Sequence, residues 1–179
     1  MNSPELRAAR VLASNRYTVL ATSDSRGPWA STVAFVIPDT GELAFISQRT
    51  SRHAAAVARS GAVAGVVYNS TVTPEDAESV QFLGTCADVG EDVSWVRRVL
   101  RGFLRVSGGP EDGEPSEELV QRIFTDPDKG VFVISVGEMF VLDQAAWFER
   151  QIDAREAVNV PSVFSLLLDK DGILQGNSV

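Results

Sequence analysis

A single cysteine and a single histidine occur in the 179 residues of this chain. One thiol, Cys86, forms no internal disulfide, which fits a reducing compartment. His53 lies far from it in sequence, so the usual zinc ligand sets are excluded. Basic residues are also scarce: 16 Lys and Arg stand against 24 Asp and Glu, a formal net charge of -8. An acidic surface repels nucleic acid and anionic lipid, so neither is expected as a partner. No apolar run approaches the ~20 residues that span a bilayer. MNSPELRAAR lacks the apolar core of a signal peptide, and a cytoplasmic soluble domain is expected. The patterns G-x-G-x-x-G, G-x-x-x-x-G-K-[ST] and G-x-S-x-G are absent, which removes the Rossmann and P-loop cradles and the esterase elbow. DKDG at 169–172 begins like a calcium loop but lacks the completing glutamate, and reads as an acidic turn.

What remains is ordinary globular composition, 44% hydrophobic and 22% charged, enough for one compact domain. Residues 4–14 read as a helix, with Ser3 as cap and Pro4 in the first turn. YTVLATS (17–23), WASTVAFVI (29–37) and LAFIS (43–47) read as strands separated by the turns DSRGP and PDTGE. Their short connections predict an antiparallel meander. A helix at 51–59 ends at Ser60-Gly61. AVAGVVYNS (62–70) is apolar at nearly every position, as in a strand covered on both faces. A fifth strand follows at 79–89, then a helix at 92–106 and a short helix ending near Phe124. GVFVISV (130–136) and MFVLD (139–143) supply a last strand or pair, and PSVFSLLL (161–168) packs on the barrel or on a partner chain. About six strands with closely spaced turns favour a small β-barrel with peripheral helices over a βαβ sheet.

The arginines at 97, 98, 101 and 105 lie off the apolar stripe of their helix, between acidic flanks. They read as a solvated, internally paired face and not as a nucleic-acid surface. Trp95 reads as packing, whereas Trp29 opens the second strand and is placed either to pack or to stack on a ligand. The chemistry concentrates in SQRTSRHAAAVAR (47–59). Thr50 or Ser51 can cap the helix there, and Ser47, Arg52 and His53 gather at its positive end. Two readings are open, a plain cap with solvated basic residues and a seat for a phosphate; local chemistry alone favours the cap.

The ordered set strand, D-x-x-G-x-P turn, strand, turn, strand, S/T-x-x-x-S-[RK]-[RK], short helix, apolar strand resembles the pyridoxamine 5'-phosphate oxidase-like FMN-binding split barrels. The likeness covers residues 15–90 well and includes Gly84 of VQFLGTCADV. It implies a mainly β fold, a six-stranded antiparallel Greek-key split barrel with peripheral helices. Residues 1–150 would form the flavin-binding domain, and 151–179 a tail packing on the barrel or the partner subunit. It implies a homodimer with FMN in clefts between subunits, and an FMN-dependent oxidoreductase acting on a small organic substrate. Carried over, Ser47, Ser51, Arg52 and His53 match positions that hold the FMN phosphate. Trp29, Ala30, Ser31, Thr32 and Val33 match the backbone edge along the flavin ring, and Ser79 or Gln81 the position of a ring-contacting glutamine. His53 thus reads as a phosphate contact, and no catalytic residue is assigned. Ser31 and Val36 stand where the oxidase has arginine and a lysine that meets substrate phosphate, so oxidation of pyridoxamine phosphate itself is not expected. The alternative is a split-barrel binding or accessory protein that holds deazaflavin or heme, the latter through His53 or Cys86, or that has lost its cofactor.

Overall fold

A computed structural model describes residues 3–73, 76–109 and 113–169. Helix α1 (Pro4–Ser14) starts as expected, with the Ser3 hydroxyl accepting from the Leu6 amide at 3.2 Å. Strands β1 (Tyr17–Asp24) and β2 (Gly27–Ala34) form a hairpin in continuous register from Tyr17↔Ala34 to Asp24↔Gly27. β3 (Leu43–Gln48), α2 (Arg52–Ser60), β4 (Ala62–Tyr68), β5 (Ser79–Asp88), α3 (Val93–Val106), α4 (Glu117–Phe124) and β6 (Lys129–Leu142) follow. The chain then adds α5 (Gln144–Arg150), β7 (Arg155–Ala157) and α6 (Val160–Leu168).

The fold is mainly β with helices, one antiparallel sheet in the order β2-β1-β4-β5-β6-β3, with β7 added beside β6. The predicted meander holds for β1 and β2 but not for β3, whose ladder runs along β6 from Leu43↔Ile134 to Gln48↔Lys129. The second strand leaves β1 after Ala34, earlier than expected, and turns a corner through Pro38 and Gly41. Only the Val36↔Ala44 bridge, with N···O distances of 2.8 Å both ways, ties that corner to β3. β3 is then sandwiched: Leu43 and Phe45 face one apolar cluster while Ala44 faces another under α3. Of the strand or pair expected at the end, the structure has one strand, because a bulge between Leu83 and Gly84 absorbs Gly137 and keeps the β5–β6 ladder going. A Cβ on Gly84 would stand 2.4 Å from the Ser135 carbonyl oxygen, so that close approach needs glycine.

The barrel interior gathers Leu20, Phe45, Val67, Phe82 and Ile134 with Ala54 and Val57 of α2, Leu12 of α1 and Val163 and Phe164 of α6. A second cluster packs Val96, Val99 and Leu100 of α3 and Val120 of α4 on Ala44, Val131 and Val133. Helices therefore cover the outer wall at β3 and the first half of β6. The outer wall at β1, β4 and β5 has no such cover: Tyr17, Tyr68 and Leu83 are 62%, 49% and 46% exposed. The expectation that β4 is covered on both faces fails within one subunit, since its burial alternates with Ala62 and Tyr68 exposed. On α3, Arg101 meets Glu114 at 2.7 Å and Arg97 pairs with Glu117, as the flanking acids predict, whereas Arg98 meets Asp39 at 3.1 Å, an acid distant in sequence. No helix among the described residues is long and apolar enough to cross a membrane. Most of the DKDG turn, from residue 170 onward, lies outside the described residues.

Candidate functional site

The junction between β3 and α2 is built by one residue doing two jobs. Ser51 adopts an extended backbone (φ -65°, ψ 150°) and caps α2, its Oγ accepting from the Ala54 amide at 3.3 Å. The same hydroxyl lies 3.1 Å from His53 Nε2, and Ser47 Oγ at the end of β3 lies 2.8 Å from that nitrogen. Two serines and the imidazole therefore close on one point at the positive end of the helix. Helix geometry gives the first-turn amides no intrahelical acceptor, so an anion placed here meets donors. Burial lowers the His53 pKa from its ordinary value of 6.5, which favours the neutral ring. Phe45 tilts against that ring at 6.1 Å between centroids, and stacks on Phe132 at 5.1 Å.

Arg52 turns the other way, toward the β1–β2 turn. Its Nε donates to Asp24 Oδ2 and its Nη2 to Asp24 Oδ1, both at 3.0 Å, and Nη2 also reaches the Gly27 carbonyl oxygen at 3.3 Å. The Trp29 ring lies 4.4 Å from the guanidinium carbon, in cation–π contact. Arg26 donates to Asp24 as well, through its amide at 2.8 Å and its Nη2 at 2.8 Å. Arg59 approaches to 3.9 Å. The Asp24 side chain is 4% exposed. Hydrogen bonds from Arg52 and then Arg26 hold its carboxyl well below the usual carboxylate range. Sequence reasoning took Asp24 for a turn residue; its pairing spans 28 positions, and no local pattern encodes it.

Along β2, Trp29, Ala30 and Thr32 are exposed, Ser31 is half-buried and Val33 is buried. β2 is the terminal strand of the sheet order, so its far backbone edge is open beside Trp29. Val36, 2% exposed, packs against Gly102 of α3, away from the β3–α2 junction. Ser79 and Gln81 share the outer face of β5, both half-buried, with Gln81 Oε1 accepting from Arg155 Nε at 3.0 Å. They do not join the β2 group. The aligned positions Thr32, Val19, Val66 and Gln81 span three strand spacings, about 14 Å.

A cavity of about 340 Å³ lies beside α2, lined by Arg49, Ala54, Val57, Ala58, Cys86, Ala87, Asp88 and Phe132. The buried Cys86 thiol in its wall is pushed up to about 12, first by burial and then by Asp88, so it stays protonated at neutral pH.

The family model of pyridoxamine 5'-phosphate oxidase matches residues 4–141. No curated protein matches the sequence significantly. Among solved structures, a heme binding protein from Mycobacterium smegmatis superposes with a TM-score of 0.64 at 15% identity, over 92% of this chain and 62% of that one. The chain thus spans under two thirds of that protein's length. HutZ, the heme storage protein from Vibrio cholerae, gives 0.57 at 17% identity over 73% of this chain and 89% of its own. A protein from Listeria innocua, described as a candidate pyridoxamine 5'-phosphate oxidase, gives 0.52 at 20% identity over 74% and 93%. At these identities the likenesses establish the split-barrel fold.

Proposed function

The chain belongs to the pyridoxamine 5'-phosphate oxidase family, and on that premise we propose that it is a cytoplasmic, homodimeric FMN-binding flavoprotein. Its activity is that of an oxidoreductase acting on a small organic substrate in a cleft between subunits. The observation that carries this reading is the convergence of Ser47, Ser51 and His53 at the N-terminus of α2. Those groups and the first-turn amides fit a phosphate, and the open edge of β2 from Trp29 to Val33 lies on the path a flavin ring would take from it. Bound there, FMN supplies hydride transfer. The chain's own residues bind and orient it: Ser47 and Ser51 offer hydroxyls, and neutral His53 offers a hydrogen-bonding nitrogen. The exposed Trp29 ring screens one side from water.

The uncovered outer wall supports a second subunit. Val19, Ala21, Ala64, Val66 and Leu83 form a largely apolar face beside two exposed tyrosines, and a second copy of this chain is the natural cover. Ser79 and Gln81 sit on that face, too far from β2 of their own subunit but suited to reach a ring bound at β2 of a partner. Oxidation of pyridoxamine phosphate is not part of the proposal, because Val36 is buried and strand β2 carries no cation. The rival ligand is heme, which two structural neighbours bind or store by name. Heme needs an axial ligand, yet His53 Nε2 is held between two serines and the Cys86 thiol is buried and protonated. Mass spectrometry of the chromophore released by denaturing the purified protein tests the reading. FMN is expected; release of a deazaflavin or heme instead sinks it.

A further inference from the structure

One feature of the α2 junction runs against a simple phosphate seat: its strongest cation is already engaged by an anion from the same chain. A guanidinium fork matches a carboxylate and a phosphate in the same bidentate way. In Arg52 that fork, Nε with Nη2, is closed on both oxygens of Asp24. The second Nη2 proton points to the Gly27 carbonyl oxygen, so three of the five donors are used within the chain. Trp29 covers a face of the group, and the Asp24 side chain is 4% exposed against 22% for Arg52. Asp24 is fixed in turn by the amide and side chain of Arg26. The charged groups around it are Arg26 on the turn and Arg52 and Arg59 on α2.

We propose that Asp24 is a specificity-determining residue of this site, an internal carboxylate that occupies Arg52 in place of a ligand phosphate. The inference rests on the phosphate-seat reading above and sharpens it. In the native protein the ligand's anionic end is held by Ser47, Ser51, His53 and the helix amides, with Arg52 withheld. The site then gains less from a phosphate than it would with Arg52 free, and discriminates less sharply between phosphorylated and unphosphorylated forms of one ligand. Removing the Asp24 charge releases the fork and adds one positive charge to the cluster.

Calorimetric titration of the full-length protein with inorganic pyrophosphate at low ionic strength tests this without any flavin. Asp24→Asn is expected to bind pyrophosphate at least tenfold more tightly than wild type, and Asp24→Asn/Arg52→Gln is expected to lose that gain. Equal or weaker binding by Asp24→Asn, or binding by neither protein, overturns the proposal. Should Asp24→Asn fold poorly, Arg52→Gln alone decides: it is expected to leave wild-type pyrophosphate affinity within twofold, and a tenfold loss overturns the proposal. A parallel arm compares FMN with riboflavin. Asp24→Asn is expected to raise the FMN-to-riboflavin affinity ratio at least tenfold, and an unchanged ratio counts against Asp24. If no variant binds either flavin, the cofactor reading fails while the pyrophosphate arm still decides the role of Asp24.

Discussion

Gly65 faces the barrel interior directly opposite Phe82 on the neighbouring strand, and the absence of a side chain there makes room for the ring. An alanine at this position would set its Cβ 2.2, 2.6 and 2.9 Å from the Cζ, Cε1 and Cε2 atoms of Phe82. Carbon atoms in contact settle at about 3.5–4.0 Å, so the ring has to retreat by about 1 Å or more. Phe82 is 1% exposed, and no rotation takes it into solvent. Overpacking of this kind costs about 1–3 kcal/mol, and the stiffer unfolded chain of Gly65→Ala returns about 0.4–1 kcal/mol. A net loss of about 1–2 kcal/mol lowers the melting temperature of a domain this size by about 2–8 °C. Differential scanning calorimetry of wild type, Gly65→Ala, Phe82→Leu and the double variant reads the effect. Leucine is expected to relieve the crowding, so that the double variant is less destabilised than the sum of the singles. A melting temperature at or above wild type for Gly65→Ala, or simple additivity, refutes the reasoning. Because Gln81 and Leu83 face outward, this experiment isolates the interior from the proposed interface.

Two other expectations follow from the surface and from His53. Leu83→Arg places a cation in the middle of the apolar outer face, opposite Glu138, which can pair with it and keep the subunit folded. Analytical ultracentrifugation is expected to show the dimer of the wild type become a monomer, and a persisting dimer removes this face from the interface. His53 has a folded-state pKa below its ordinary 6.5, so the unfolded chain binds more protons in the window between the two values. Stability is therefore full above about pH 6.5, falls as the pH drops below it, and levels off beneath the folded pKa. Melting curves from pH 8 to pH 5 are expected to show this decline in wild type and a shallower one in His53→Gln; parallel declines would contradict the half-buried neutral imidazole.

The sequence carried the local events well. Ser3 and Ser51 act as caps, the helix after Ser51 stops at Gly61 with φ 66°, and Arg97 and Arg101 of α3 pair with acids of the flanking segment. It failed where pairing partners are chosen at long range. The short link from Ala34 to Leu43 permits a hairpin, yet β3 joins β6 because only there are both of its faces covered. The bulge that makes β6 continuous depends on the Ser135 carbonyl approaching Gly84 on another strand. Of the candidate site, the serines and His53 were legible as a cluster at a helix start. Arg52 was legible as a cation but not as one already paired, since Asp24 reaches it only after the β1–β2 turn folds back over α2. The apolar pattern of β4 pointed to cover on both faces; within one subunit only the face carrying Val63, Gly65 and Val67 is buried.

Titration of the purified, ligand-stripped protein with FMN asks whether the α2 junction and the β2 edge hold the cofactor. Saturation at one FMN per subunit is expected, with a shift of the flavin absorbance bands. At a hundredfold excess over the dissociation constant, the stabilisation is about 2.7 kcal/mol, which raises the melting temperature by about 5–11 °C. Unchanged flavin absorbance together with an unchanged melting temperature at saturating FMN would mean that the junction holds no FMN.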